Sequence, residues 1–134
     1  LITNIQNELN AHKKCYVCFV DCEKAFDKVD RNLLFTKLQT LGLPKHLLKV
    51  LYIIYAEHRS RVNVDGFLSD AVRQTIGVPQ GDKLSPILFA IFITELSEIL
   101  EQTGCFVIFY ADDLAIGSHD LGKLQLVMQK LEEY

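Results

Sequence analysis

Residues 105–118, with the sequence CFVIFYADDLAIGS, place two adjacent aspartates between two apolar runs. Short apolar runs bounded by turn signals are typical of buried strands, so the pattern predicts a β-hairpin with Asp112 and Asp113 at its tip. Two adjacent carboxylates beside core strands are costly to desolvate unless a positive group faces them. From this stretch alone, a divalent-cation site and a solvent-exposed Asp-Asp turn are equal alternatives.

A third carboxylate changes that balance. Residues 15–21 have the alternation and β-branching of a strand, and this strand would end at Asp21, where a loop begins. If the strands are neighbours, their ends bring Asp21 close to Asp112, and like charges crowd in this way only with a cation or a raised pKa. Magnesium prefers a few carboxylates together with substrate phosphate oxygens. The residues therefore predict a two-metal site for nucleotidyl transfer.

The remaining pattern predicts helices around these strands. Asp30 is a candidate N-cap for a helix starting at Arg31, and Gly42 occupies a C-terminal cap position. The Ser85 hydroxyl is expected to cap a further helix, whose first half, up to Ile93, is expected to be buried. The dipeptide 65–66 (Asp-Gly) predicts a hairpin with residues 67–74 as its return arm. The core strands would be 15–21, 105–110 and 114–118, so the fold class is a small sheet with helices packed on one face.

Composition excludes some classes of protein. The formal charge of −3 gives no support for binding a polyanion, and the longest apolar run, residues 87–93, is far shorter than the roughly 18–20 residues of a membrane span. Cys15 and Cys18 have zinc-ribbon spacing, but residues three apart on a strand point to opposite faces and cannot share a metal. Buried, reduced thiols in an intracellular protein are the preferred interpretation.

Three segments together carry a resemblance to a known family. Residues 19–29 (FVDCEKAFDKV), 77–89 (GVPQGDKLSPILF) and 110–113 (YADD) resemble, in order and separation, three palm motifs of reverse transcriptases. The sequences of these motifs are most similar to those of non-LTR (LINE-type) retrotransposons. Any one motif would be weak support, whereas three in order are highly specific, and the resemblance covers nearly the whole chain.

The resemblance implies an α+β polymerase palm that is incomplete at both ends. Residues 1–134 would be a partial reverse transcriptase domain, with the upstream fingers and the downstream thumb absent, and the isolated fragment is expected to be inactive. The activity would be RNA-directed DNA polymerisation with two Mg²⁺ ions, for which Mn²⁺ could substitute. Partners would be an RNA template, a DNA primer, dNTPs and the rest of a polyprotein, including an endonuclease domain. No membrane partner is expected, and the protein would occur in the nucleus and cytoplasm.

The resemblance also assigns roles at the site of chemistry. Asp21 and Asp112 would be the main metal ligands, and Asp113 would be the third catalytic acid, more supporting than ligating. The backbone amides from Cys22 to Lys24 would face the triphosphate.

Further positions would contact the nucleotide and the template. The aromatic ring of Phe26 would exclude a 2′-hydroxyl and so favour deoxynucleotides, with plain core packing as the alternative. Gln80 and Gly81 would contact the incoming nucleotide and the template, although Gly81 also fits a simple turn glycine. Asp82 departs from the family pattern, in which a small residue is common, and an acid there adds repulsion beside nucleic acid.

Two other functions stay open. One is an inactive or domesticated palm that only binds nucleic acid or has a structural role, although such chains commonly lose an acid and all three are present here. The other is a different palm enzyme, such as an RNA polymerase or a nucleotide cyclase, against which the contexts of Phe26 and Gln80 argue.

Overall fold

The structure is a computed structural model that describes residues 1–133. Helices and strands alternate along this part of the chain. Their order is α1 Ile2–His12, β1 Tyr16–Asp21, α2 Arg31–Thr40, α3 Lys45–Ala56, β2 Arg59–Ser60, β3 Asn63–Val64, β4 Phe67–Leu68, β5 Val72–Arg73, α4 Ser85–Glu101, β6 Phe106–Tyr110, β7 Asp113–Ser118 and α5 Leu121–Glu133. This is an α+β fold with small antiparallel sheets, as the sequence predicted.

The chain forms two compact units. Unit 1 combines Leu1–Glu23 with the residues from Ile93 onward, and unit 2 is the continuous segment Lys24–Phe92. Unit 1 is therefore built from two pieces of chain that lie far apart in sequence.

The sheet of unit 1 has three antiparallel strands in the order β1-β7-β6. Val20 of β1 pairs with Leu114 of β7, and Leu114 pairs in turn with Phe109 of β6. The three predicted core strands are therefore confirmed, with the central position taken by the second arm of the hairpin.

One face of this sheet carries the core of unit 1. Leu114 and Ile116 are 1% and 0% exposed, and they pack with buried side chains of α4 and α5. Removing such a side chain from water contributes about 1.5–3 kcal/mol, so this face fixes the register of the sheet. The helical members of the cluster are Leu96, Leu100, Leu124 and Val127.

Because side chains alternate along a strand, the other positions of the sheet point to the opposite face. The exposed Phe19 and Tyr110 lie there. Phe106 covers the backbone of Gly117 so closely that a Cβ at Gly117 would collide with the ring. This opposite face is therefore partly aromatic and open.

Unit 2 begins with the two helices that the sequence predicted. Asp30 caps α2, since its Oδ1 accepts hydrogen bonds from the backbone N–H groups of Asn32 and Leu33 at 2.8 and 3.1 Å. Gly42 follows the end of the helix with φ +82°, which is the left-handed conformation expected of a C-terminal glycine.

Two predictions about unit 2 are wrong in detail. The 65–66 turn does join β3 and β4, but residues 67–74 form two short strands, since β4 pairs with β3 and β5 pairs with β2. Ser69 interrupts the arm by accepting a hydrogen bond from the Val62 N–H through its Oγ. The first half of α4 is not fully buried, because the side chain of Ile87 is 60% exposed.

Candidate active site

In unit 1, the strand register places two of the predicted catalytic acids opposite each other. Asp21, the last residue of β1, pairs with Asp113, the first residue of β7. Paired residues share a face of the sheet, and here it is the face opposite the apolar core. Like charges in this position repel each other, so the pairing costs stability unless a cation lies between them.

The third acid, Asp112, lies on the tight turn between β6 and β7 and is half-buried. Ala111 before it has φ +54°, a left-handed conformation that costs an alanine roughly 1–2 kcal/mol relative to its usual region. The strained alanine closes a turn of only two residues between the paired positions Tyr110 and Asp113. The turn thus holds Asp112 next to the Asp21–Asp113 pair.

The pKa of the Cys22 thiol reflects the negative charge of the three nearby aspartates. Burial raises the pKa of Cys22, and the negative charges of Asp112, Asp21 and Asp113 raise that pKa further. The thiol is therefore neutral at physiological pH, because all three carboxylates disfavour a thiolate beside them. A neutral half-buried thiol fits packing at the end of β1 and does not supply a nucleophile.

The three carboxylates match the oxygen ligands that a hard cation such as magnesium prefers, and the neutral Cys22 thiol beside them is not a ligand of that kind. Within residues 1–133, the ligand atoms of the three aspartates do not form a compact set in which each lies within 4.8 Å of the others. Magnesium takes a few protein carboxylates and completes its shell with water and substrate phosphates, so the chemistry of the donors, and not their spacing, is what fits this ion. Asp21, Asp112 and Asp113 are the residues that would hold it.

In unit 2, the glycine loop of residues 77–82 is fastened to the segment that carries Phe26. The Gly77 N–H donates to the Val29 carbonyl, and the Val78 N–H donates to the Phe26 carbonyl, each at 2.8 Å. Gly77 has φ +78°, and a Cβ there would lie 2.5 Å from the carbonyl oxygen of Asp27. Glycine is therefore required at this position both by the backbone conformation and by the close approach.

Replacing Gly77 by alanine should lower the free energy of unfolding by about 3 kcal/mol or more, because the left-handed φ and a collision with rigid backbone add together. Gly81→Ala is the matched control. Gly81 has φ +86° but open space around its Cβ position, so its substitution should cost only about 1–2 kcal/mol. Urea denaturation of both variants measures the difference. Equal losses would show that the contact with Asp27 is relaxed in solution.

Arg31 is the residue of this unit that the sequence reasoning missed. Its side chain is 9% exposed and donates to three backbone carbonyls. Nε donates to Gly77 at 2.7 Å, and Nη1 donates to Tyr55 at 2.7 Å and to Gln74 at 2.5 Å. The guanidinium therefore ties the start of α2 to the end of α3 and to the glycine loop.

A signal for Arg31 was present in the sequence. A cation in the first turn of a helix opposes the helix dipole, so an arginine directly after the N-cap Asp30 suggests partners elsewhere in the fold. One of those partners, the Tyr55 carbonyl, belongs to the last turn of α3, where a cation is favourable. Burial lowers the pKa of Arg31 from its usual value, but arginine stays charged at physiological pH.

The predicted nucleotide-facing side chains of unit 2 have defined environments. Phe26 is half-buried and stacks on Phe89 of α4, with ring centroids 4.7 Å apart, so part of its role is packing. Gln80 is exposed, and its Nε2 lies 3.5 Å from both carboxylate oxygens of Asp27. Gly81 forms an open turn. The Gln80–Asp27 contact joins the glycine loop to the segment after Phe26, 53 residues earlier in the chain.

Gln80 also lines a groove in unit 2 with a volume of about 610 Å³. Lys24 and His58 contribute basic side chains to it, and Asp27 contributes the acid beside Gln80. Pockets for small ligands have volumes of about 300–1,000 Å³, so the groove has room for a nucleotide.

Asp82, the departure from the family pattern, has a local structural role. Its Oδ1 accepts a hydrogen bond from the Leu84 N–H, and its carbonyl accepts one from the Ser85 N–H, each at 3.3 Å, at the start of α4. The predicted capping by the Ser85 hydroxyl is wrong. That hydroxyl is buried and interacts with the side chain of Tyr55. Asp82 instead stabilises the turn that leads into α4.

Comparison with known proteins identifies the chain. The family model described as "Reverse transcriptase (RNA-dependent DNA polymerase)" matches residues 2–134. The chain belongs to the reverse transcriptase family. Because the match covers nearly the whole chain, the three predicted motifs lie inside the family region.

Named relatives of this reverse transcriptase chain come from non-LTR retrotransposons. It is 30% identical over 130 residues to the Pol polyprotein of the type-2 retrotransposable element R2DM of Drosophila melanogaster, covering 91% of this chain and 12% of the relative. It is 32% identical over 104 residues to the RNA-directed DNA polymerase from the mobile element jockey of Drosophila funebris, covering 74% and 11%. The chain thus spans about one-eighth of the length of the first of these relatives.

A solved structure confirms the fold class. Apo telomerase from Candida tropicalis, truncated from its C-terminal domain, superimposes with a TM-score of 0.76 at 19% identity, covering 98% of this chain and 30% of the telomerase chain. The fold is therefore of the polymerase palm type. Among the described residues, no helix is long and apolar enough to cross a membrane.

Proposed function

We propose that the chain is the palm segment of an RNA-directed DNA polymerase encoded by a non-LTR retrotransposon. The observation that carries this proposal is the register of β1 against β7, which pairs Asp21 with Asp113 beside the turn that holds Asp112. Family membership supports the same activity.

The reaction joins a deoxynucleotide to a primer on an RNA template. The primer 3′-hydroxyl oxygen attacks the α-phosphorus of a dNTP, a new P–O bond forms, the bond to the β-phosphate breaks, and pyrophosphate leaves. Two magnesium ions, or manganese in their place, would activate the attacking oxygen and stabilise the leaving one. Asp21 and Asp112 are the proposed main ligands, and Asp113, which pairs with Asp21 and directly follows Asp112, supports them.

The remaining proposed roles concern substrate binding. The backbone amides from Cys22 to Lys24 face the triphosphate, Phe26 screens the sugar, and Gln80 and Gly81 contact the nucleotide and the template. The exposed rings of Phe19 and Tyr110 lie on the same sheet face as Asp21 and Asp113, and such rings are surfaces on which nucleobases stack. This supports a nucleic-acid function despite the formal charge of −3.

The proposal includes the larger protein. Since the chain spans about 12% of the R2DM polyprotein, we expect fingers, thumb and endonuclease regions in the same intracellular polypeptide, acting in the nucleus and cytoplasm. A polypeptide that contains this chain together with those regions, called the long polypeptide below, should extend a DNA primer on an RNA template in the presence of dNTPs and Mg²⁺. The 134-residue chain alone should not. Absence of extension by the long polypeptide, with the fold intact by circular dichroism, would favour the inactive-palm alternative.

Phe26→Val in the long polypeptide should admit ribonucleotides. Removing the ring opens space for a 2′-hydroxyl, so the preference for dNTPs over rNTPs, measured as the ratio of kcat/KM values, should fall by at least about 10-fold. Phe67→Val is the control, because Phe67 has 82% exposure and lies on the small hairpin. If the ratio of kcat/KM values is unchanged and only the stability of the protein falls, the role of Phe26 is to pack against Phe89.

A further inference from the structure

Three side chains that can bind metal converge in unit 1, at the end of β7 opposite to Asp113. Glu8 and His12 are four residues apart on α1 and share one face of that helix, while His119 directly follows β7. The His119 Nδ1 lies 2.8 Å from the Glu8 Oε2, and the backbone N–H of His119 donates to the same oxygen at 3.0 Å. The structure thus joins residues 111 positions apart in sequence.

The second imidazole completes the cluster. The rings of His12 and His119 stack with centroids 3.5 Å apart, and one ligand atom from each of Glu8, His12 and His119 lies within 4.8 Å of the others. The contact between Glu8 and His119 is sufficient by itself to link α1 to the end of β7, so it does not explain why His12 is also present. His12 adds a second nitrogen donor at the same point.

Two imidazole nitrogens and one carboxylate oxygen are a donor set typical of zinc, with a fourth position left for water. Magnesium prefers oxygen donors alone, so this cluster and the three aspartates select different metals. Zinc bonds of about 2.0–2.1 Å need a tighter cluster than the one observed, and the His12 ring must turn out of its stack, because an imidazole nitrogen donates in the plane of its ring. His12 can supply that closure, because it is exposed and is the last residue of α1.

The neighbouring Cys15 does not belong to this donor set. Among the described residues, the ligand atoms that lie within 4.8 Å of one another come from Glu8, His12 and His119, and the Cys15 Sγ is not in that group. The zinc-ribbon spacing of Cys15 and Cys18 is therefore separate from the site formed by the two histidines.

We propose that Glu8, His12 and His119 form a zinc-binding site that fastens α1 to the end of β7. Asp113 begins β7 and His119 follows its last residue, so the length of the strand separates this site from the candidate catalytic acids by roughly 20 Å. The site lies away from the candidate catalytic acids, and the proposal does not depend on the polymerase activity.

The test is zinc titration of the chelator-treated 134-residue chain by calorimetry, with Co²⁺ absorption as a second readout. We expect one ion per chain, an unchanged affinity in excess Mg²⁺, and visible Co²⁺ bands without a thiolate charge-transfer band. His12→Ala leaves the Glu8–His119 contact in place and should weaken binding by about 10–100-fold or more. A His46→Ala/His58→Ala variant removes two histidines of unit 2 and should bind zinc like the parent.

Several outcomes would overturn the proposal. They are an absence of zinc binding by the parent chain, equal affinity of the His12→Ala variant, or a loss of affinity in the His46→Ala/His58→Ala control. A Cys15→Ser variant should also bind normally, and a weaker affinity there would assign the metal to a thiolate site. Circular dichroism of each variant without metal confirms that a loss of binding is not a loss of fold.

Discussion

Asp112→Asn in the long polypeptide should reduce primer extension by about 10³-fold, while the chain stays folded. Asparagine keeps the size of the side chain but removes the negative charge that would hold a cation. Metal stabilisation of the transition state is worth several kcal/mol, and each 1.36 kcal/mol corresponds to a tenfold change in rate. Asp21→Asn should have a comparable effect. Single-turnover extension on an RNA template, with dNTPs and Mg²⁺ saturating for the parent, measures it.

Asp70→Asn is the matched control, since Asp70 is an exposed aspartate of unit 2 and its substitution should leave extension unchanged. Equal extension by Asp112→Asn and the parent would rule out the metal assignment. A loss of extension accompanied by unfolding would assign Asp112 a structural role in the turn.

Without divalent metal, Asp113→Asn should raise the free energy of unfolding by about 0.2–1 kcal/mol, because it relieves the repulsion across the Asp21–Asp113 pair.

Arg31→Met should destabilise the chain by about 3–5 kcal/mol, a large part of the roughly 5–15 kcal/mol by which domains of this kind are stable. Methionine fills a similar volume but cannot donate to the carbonyls of Gly77, Tyr55 and Gln74. Each carbonyl left without a partner in a buried place costs about 1–3 kcal/mol. Urea denaturation followed by circular dichroism measures the loss.

Two further variants make this experiment specific. Arg61→Met removes an exposed arginine of the same unit and should change the free energy of unfolding by no more than about 0.5 kcal/mol. Arg31→Lys keeps the charge but replaces a planar fork with a single ammonium group, so it should recover only part of the stability. If Arg31→Met were as stable as Arg61→Met, water would have to satisfy the three carbonyls, and Arg31 would not position the glycine loop.

The elements that were predictable from sequence are those whose signals are local. The hairpin around Asp112, the cap at Asp30 and the left-handed Gly42 each follow from residues within one turn of the position concerned. The pairing of β1 with the hairpin was predictable for another reason. Asp21 lies at the end of a strand and needs a partner or a cation. Because the sequence contains few other apolar strands, the hairpin was the natural neighbour for β1.

What escaped sequence reasoning depends on contacts between distant residues. The carbonyls that Arg31 binds belong to a helix end and a loop far along the chain, and backbone acceptors carry no sequence signature. The cluster of Glu8 and His119 joins opposite ends of the chain. The Ser85 cap failed because Ser85 is itself the first residue of α4 and its hydroxyl is buried.

The discontinuous construction of unit 1 has a consequence for synthesis on the ribosome. The β6–β7 hairpin is local and can form as soon as it emerges, but β1 must wait for β7, whose residues are translated roughly 90 residues later, or about 5–20 s at ordinary elongation rates. During that interval the edge of β1 is unpaired, and Asp21 has no neighbour across the sheet. The acidic site is therefore among the last parts of the chain to assemble, and a nascent chain that stalls before β7 cannot contain it.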